Sequence, residues 1–172
     1  MAVAALLTLP PTAPDPGSPP PAAGETVVYA WPVRGPVLRA FEPPGTAYGP
    51  GHRGIDIGAP IGTPVRAAAE GVVAFAGSVA GARYLSIDHA DGIRTTYSWL
   101  SALLVERGDR VRRGAVVART GWGHPATAAP HLHLGARVGD VYLDPLALLG
   151  DPSAAGIVHL APLDAVESGP PP

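Results

Sequence analysis

The chain has 172 residues, 47% of them hydrophobic, and a formal net charge of -2 at pH 7. A chain of this length and apolar content can bury one moderate core, which predicts one folded domain. The sequence has no basic run that would attract nucleic acid or an anionic membrane surface, so we expect neither partner. It has no cysteine, which excludes a disulfide framework.

Glycine and proline indicate the fold class. The chain has 22 of each, a composition typical of short strands joined by tight turns. We therefore predict an all-β fold, a compact antiparallel β-sheet with short helices or none.

The first 25 residues are expected to lie outside the folded domain. Ala2–Leu9 is an apolar run long enough for the core of a signal peptide and too short to span a bilayer, although it lacks a basic start. Residues 10–24, rich in Pro, Ala and Gly, are typical of a linker. The signal-like run predicts a secreted or cell-wall-associated protein, and a plain apolar tail is the alternative. No other segment is predicted to cross a membrane.

Residues 26–150 are predicted to form the domain, as short strands separated by turns. Asp88–Gly92 carries the Asp and Gly residues of a hairpin loop, so its flanking strands should pair antiparallel. Gly62–Ala67 and Gly108–Gly114 indicate β-turn joints. The runs that are β-branched or alternate in polarity predict strands at Thr26–Ala30, Val37–Phe41, Gly71–Ala76, Tyr84–Ile87, Ile93–Tyr97, Val116–Ala118 and His131–Arg137.

Helices are expected in two places only. Trp99–Val105 and Asp144–Leu149 are each compatible with one or two helical turns. Residues 151–172 form a C-terminal extension, with one more possible strand at Ile157–Leu160 and a loose end rich in proline.

Two distant segments carry the residue types of a metal site. His52 and Asp56 are four residues apart, and His131 and His133 are two apart, so in extended backbone each pair shares one face. Two imidazoles and a carboxylate are typical ligands of catalytic zinc, which keeps its fourth position for water. The pattern predicts an open zinc site and leaves open which histidine of the second pair is the ligand. A local hydrogen bond between His52 and Asp56, without any metal, is the alternative.

In their order and spacing, these segments resemble the lysostaphin-like zinc metallopeptidases, which cut peptide bonds in bacterial cell walls. The resemblance covers residues 31–149. It implies an open antiparallel β-sheet groove and hydrolysis of peptidoglycan cross-links by water activated by Zn²⁺, with the peptidoglycan peptide as partner; no oligomeric state is implied. The resemblance rests on six sequence segments, which are Gly51–Ile57, Gly62–Val65, Ala69–Val73, Ile87–Gly92, Pro130–Leu134 and Tyr142–Pro145.

The resemblance implies that His52, Asp56 and His133 bind zinc and that His131 is a catalytic histidine. The chain departs from the family at one position, because Trp99 stands where the family has a second catalytic histidine in a Tyr-x-His-Leu sequence. An indole donates a hydrogen bond but exchanges no proton near neutral pH. Acid–base work then rests on one histidine, and losing such a group costs about two to four orders of magnitude in rate.

Two residues are candidate hydrogen-bond donors to an oxyanion or neighbours of the metal ligands. One is Trp99, through its indole N–H, and the other is His124, which follows a Gly-Trp-Gly sequence just before the His131 strand. The remaining histidines, His89 in the hairpin turn and His159 near the C-terminus, are expected to be structural.

A second function of a different class is consistent with the same residues. A non-catalytic wall-binding or hydrolase-activating module of the same fold would not need the second catalytic histidine, so Trp99 in its place is consistent with such a module. The complete set of three ligands favours the enzyme, because catalytic zinc needs all three. A carbohydrate-binding domain is less favoured, because most of the ten aromatic residues are expected in the core.

Overall fold

The computed structural model describes residues 27–46, 49–124 and 129–149. These residues form ten strands and one short helix, and all the strands belong to one sheet. The elements are β1 (Val37–Arg39), β2 (Ile55–Gly58), β3 (Pro64–Arg66), β4 (Gly71–Val79), β5 (Ala82–Asp88), β6 (Arg94–Leu103), β7 (Arg110–Val111), β8 (Val116–Thr120), β9 (His131–Val138), β10 (Val141–Leu143) and α1 (Pro145–Leu149).

The sheet is antiparallel throughout. Its main path runs β1-β2-β9-β6-β5-β4-β7, with β10 paired to β9, while β8 pairs with β3 and with the second half of β6. The hairpin predicted at Asp88–Gly92 is confirmed, since it joins β5 to the antiparallel β6. The prediction of an all-β, antiparallel fold is confirmed. No helix among the described residues is long and apolar enough to cross a membrane.

The two strands β2 and β9 separate an apolar face from a polar one. Ile55 and Ile57 of β2 and Leu132 and Leu134 of β9 are at most 1% exposed. Burying each of these side chains stabilises the fold by about 1.5–3 kcal/mol relative to leaving it in water. Because side chains alternate along a strand, the intervening Asp and His residues all project to the other face. Packing in the core therefore fixes the apolar face of β2 and β9, and the opposite face of these two strands is a polar surface.

Most of the predicted elements are present. Six of the seven predicted strands overlap β1, β4, β5, β6, β8 and β9, and the helix expected at Asp144–Leu149 is α1. The two turn joints each contain a short strand, β3 and β7. The signal-like segment and linker before residue 26, and the extension after residue 150 with its possible strand, lie outside the described residues.

Two predictions of secondary structure are wrong. Residues 27–30 are not a strand, although the N–H of Ala30 donates to the carbonyl of Ala68 at 2.7 Å. The segment Trp99–Val105 is not a helix, because β6 continues to Leu103. Its second half pairs with β8, and this ladder satisfies the backbone groups that a helix would have paired internally.

Candidate active site

Adjacent strands bring the predicted metal ligands together. In the antiparallel β2–β9 pair, Asp56 lies directly opposite His133, and His131 lies two residues earlier on the same strand face. Residues directly opposite each other in such a pair project from one face with their Cβ atoms close. His52 joins them from the segment before β2, where its backbone pairs with Glu42. The structure therefore unites all four residues that the sequence singled out.

Three of these residues converge on one point. Asp56 Oδ1 lies 2.9 Å from His133 Nδ1 and 3.1 Å from His52 Nε2, and the two imidazole nitrogens are 3.1 Å apart. His52 Nδ1 donates to the carbonyl of Ala40 at 2.7 Å, so in the neutral imidazole Nε2 carries a lone pair. A carboxylate only accepts hydrogen bonds, so without a metal the proton between Asp56 and His133 lies on His133 Nδ1. A cation such as Zn²⁺ would replace that proton and could then be bound by all three atoms.

Asp56 is the most enclosed member of the cluster, with no solvent exposure. Burial by itself raises the pKa of its carboxyl group. The hydrogen bonds from His133 and His124, together with the electrostatic effect of His52 and His133, outweigh burial, and the pKa of Asp56 lies well below its ordinary value. The side chain is therefore a carboxylate, which is the form that binds metal.

His131 is also fully buried and lies beside this cluster. Its Nδ1 donates to the carbonyl of Ala129 at 2.9 Å, so in the neutral ring Nε2 carries the lone pair. Nε2 accepts a hydrogen bond from the backbone N–H of His124 at 3.3 Å and lies 3.8 Å from Asp56 Oδ1. The strand thus presents a basic nitrogen at the edge of the cluster.

Both candidate oxyanion donors lie at this edge. His124 Nε2 donates to Asp56 Oδ2 at 2.9 Å, and the His124 ring meets the His131 ring edge-on with centroids 4.7 Å apart. The indole of Trp99 lies on the other side of His124, at 6.4 Å between centroids, and also contacts Tyr84 at 6.1 Å. Asp56, His124 and His131 form a second group of potential metal ligands that shares the carboxylate.

Two backbone partners of the site could not be predicted from the sequence. The carbonyls of Ala40 and Ala129 orient two of the imidazoles, and no sequence signal marks them, because every residue has a carbonyl. His89 lies at the hairpin turn as expected and takes no part in the cluster. It is 94% buried, and its ring nitrogens bond to the carbonyl of Glu70 at 2.7 Å and to Thr95 Oγ1 at 2.8 Å.

Comparison with known proteins shows the family of the chain. Residues 50–145, more than half of the chain, match Peptidase family M23. This chain belongs to Peptidase family M23. The match begins just before His52 and ends just after β10, so it contains every residue of the cluster. The lysostaphin-like resemblance inferred from the sequence is confirmed.

Solved M23-type structures share the fold. The catalytic domain of the antimicrobial peptidase lysostaphin from Staphylococcus simulans superposes with a TM-score of 0.55 and 29% identity, over 63% of this chain and 86% of that domain. A zinc containing peptidase from Vibrio cholerae superposes with a TM-score of 0.61 and 30% identity, over 74% of this chain and 41% of that one.

Curated M23 relatives are longer than this chain. The DD-carboxypeptidase/endopeptidase Mpg of Neisseria meningitidis serogroup B is 42% identical over 98 residues, which cover 56% of this chain and 22% of that protein. The chain spans about half the length, 54%, of the mycobacterial relatives that it matches over 136 residues.

Proposed function

We propose that this M23 domain is a zinc-dependent endopeptidase that hydrolyses the peptide cross-links of bacterial peptidoglycan. The observation that carries the proposal is the convergence of His52, Asp56 and His133, whose potential ligand atoms lie 2.9–3.1 Å apart. A protein of similar structure is a zinc containing peptidase, and a relative is a DD-carboxypeptidase/endopeptidase, which supports the metal and the substrate class.

The three residues would hold Zn²⁺ through His52 Nε2, Asp56 Oδ1 and His133 Nδ1. When bound, the ion would lower the pKa of a coordinated water to about 7 and polarise the scissile carbonyl. The hydrogen bond from His52 to the Ala40 carbonyl sets the tautomer that this binding needs. The choice of His133 over His131 as ligand rests on distance, since His133 Nδ1 is 2.9 Å and His131 Nε2 is 3.8 Å from Asp56 Oδ1.

His131 serves as the general base and then as the general acid in this proposal. Its Nε2 accepts a proton from the attacking water while the oxygen bonds to the carbonyl carbon. The same nitrogen then gives that proton to the amine nitrogen as the peptide C–N bond breaks. Because Nδ1 of His131 donates to the Ala129 carbonyl, only Nε2 can accept and release this proton. The same hydrogen bond stabilises the imidazolium that exists between the two steps.

The proposed place of action is outside the cytoplasm, at the cell wall. The apolar run Ala2–Leu9 suits a signal peptide, and peptidoglycan peptides are the substrate in that compartment. The same cluster suits the second candidate, a hydrolase-activating or wall-binding module. The observation in favour of that alternative is Trp99, which offers an indole where the resemblance expects an imidazole.

One experiment separates these functions. The purified chain is assayed for bound zinc by elemental analysis and for cleavage of cross-linked muropeptides by mass spectrometry, next to Asp56→Ala and His131→Ala. We expect stoichiometric zinc and cleavage in the wild type, loss of both in Asp56→Ala, and loss of cleavage alone in His131→Ala. Asp140→Asn, at a fully exposed carboxylate in the β9–β10 turn, is the matched control. Zinc without cleavage in the wild type would favour the activating module, and absence of zinc would refute the metal site.

A further inference from the structure

His124 lies at the edge of the cluster and belongs to no strand. Its Nε2 lies 2.9 Å from Asp56 Oδ2, its ring is 4.7 Å from that of His131, and its side chain is 16% exposed. A carboxylate oxygen only accepts hydrogen bonds, so His124 Nε2 carries a proton and is a donor in this position. The loop before β9 thus places an N–H beside the residues proposed to hold the metal and move the proton.

Two glycines make this placement possible. A Cβ atom at residue 121 would lie 2.2 Å from the backbone oxygen of Trp99. A Cβ atom at residue 123 would lie 2.0 Å from Cε1 of the His131 ring, and Gly123 has a φ of 96°, which side chains rarely adopt. The chain is therefore in close contact with the Trp99 backbone at residue 121 and with the His131 ring at residue 123, and His124 is the next residue.

The backbone at Trp99 is itself unusual. Its φ is 64°, an uncommon value for a bulky residue that costs about 1–3 kcal/mol and occurs most often at functional sites. Trp99 is the extra residue of a bulge, because Ser98 pairs with Tyr84 and Leu100 with Arg83. At this bulge β6 leaves β9 and begins to pair with β8. The bulge carries the indole to the ring of His124, 6.4 Å away.

We propose that His124 supplies the second imidazole of the active site, in place of the histidine that the resemblance puts at position 99. Without substrate the Nε2–H of His124 donates to Asp56 Oδ2, and when substrate is bound it donates instead to the carbonyl oxygen of the scissile peptide. The bond to that oxygen strengthens as the oxygen gains negative charge in the transition state. The indole of Trp99 contacts the His124 ring and restricts its orientation. The inference rests on the proposed function and identifies a residue for it. It requires no change in the protonation of His124, because the ring donates in both states.

The first test measures turnover in zinc-loaded protein. We expect His124→Ala to lower kcat by about 10²–10³-fold with KM and zinc content nearly unchanged. Adding Trp99→His to His124→Ala should recover at least about tenfold, because the new imidazole enters the same space from β6. Trp122→Ala, in the same loop with its ring 55% exposed, is the control for disturbance of the loop and should retain wild-type kcat and zinc.

A second measurement does not depend on turnover. Calorimetry with a phosphinic peptide, whose tetrahedral phosphorus mimics the transition state, should show about 10²-fold weaker binding to His124→Ala than to the wild type. An unchanged kcat or analogue affinity in His124→Ala would overturn the inference while leaving the proposed peptidase intact. Loss of zinc in parallel with kcat, or no recovery with Trp99→His, would also overturn it. A wild-type protein that neither cleaves muropeptides nor binds the analogue would overturn both proposals.

Discussion

Asp56 and His133 face each other across the β2–β9 ladder, and His133 Nδ1 lies 2.9 Å from Asp56 Oδ1. The two residues are 77 positions apart in sequence. A shift of either strand by one residue would turn one of them into the apolar core, because the side-chain period of a strand is two. The β2–β9 register that buries the apolar side chains therefore also brings the side chains of the polar cluster together.

Asp56→Asn should abolish metal binding while the fold persists. The amide keeps the size of the side chain but removes the negative charge that offsets the ion, and loss of an outer partner alone already costs about 10–100-fold in metal affinity. We expect zinc affinity to fall by more than that, as measured by competition with a chelator. Glu42→Gln, at an exposed carboxylate on the neighbouring segment, is the control, and equal zinc loss in both variants would contradict the assignment.

Removing the metal should lower thermal stability. A ligand that binds the folded state and not the unfolded one stabilises by mass action, so a chelator should lower Tm and added zinc should restore it. The effect should be absent in Asp56→Asn. A Tm of the wild-type protein that does not respond to the chelator would show that no ion is held by this cluster.

Gly123→Ala should disable the site. The new methyl group would overlap the His131 ring, and the φ of 96° is unfavourable for alanine. Gly62→Ala is the matched control, because Gly62 has a φ of 82° and nothing within 4 Å of an added Cβ. Gly62→Ala should lose about 1–2 kcal/mol of unfolding free energy from its backbone conformation alone. Gly123→Ala should lose more because of the overlap, and only Gly123→Ala should lose cleavage. Equal activity in the two variants would show that the loop position does not matter.

Tyr97→Phe should destabilise the core without affecting zinc. The buried phenol oxygen accepts the backbone N–H of Ala68 at 2.8 Å, and leaving that N–H unpaired costs about 1–3 kcal/mol in unfolding free energy. Denaturant titration measures this difference. Tyr142→Phe, at a ring 38% exposed, should change it by less than about 0.5 kcal/mol. A similar loss in both variants would contradict the role of the Tyr97 hydroxyl.

His89 should make stability depend on pH. Burial lowers the pKa of His89 below 6.5, and it outweighs the opposing effects of the Glu70 carbonyl and of Asp91 and Asp88. Between the folded pKa and about 6.5 the unfolded chain therefore binds more protons at this residue than the folded chain does. The free energy of unfolding should fall as the pH drops from about 7.5 through 6.5 towards the folded pKa, and level off below it.

Urea titrations at several pH values check this prediction. His89→Gln lacks the titrating group, so its stability should decrease less than that of the wild type over the same interval. The other histidines are common to both proteins, and the difference between the two curves isolates His89. Parallel curves would show that His89 binds protons equally well in both states.

The local pattern of the sequence was sufficient for six of the ten strands among the described residues and for the faces of the site. The alternation in His131-Leu132-His133-Leu134 and Ile55-Asp56-Ile57 separates ligands from core residues by the period of a strand, which is a property of neighbouring residues alone. Turn residues in the same way indicated the β5–β6 hairpin.

Contacts between distant segments decided the rest. Residues 99–103 are a strand because β8 offers a pairing partner, and local propensity carries no information about that partner. The β2–β9 register, the Ala40 and Ala129 carbonyls that orient two imidazoles, and the approach of His124 to Asp56 depend on which backbones pack side by side. The sequence by itself determined which side chains could share a metal, whereas the tertiary structure decided which atoms meet and where the second imidazole lies.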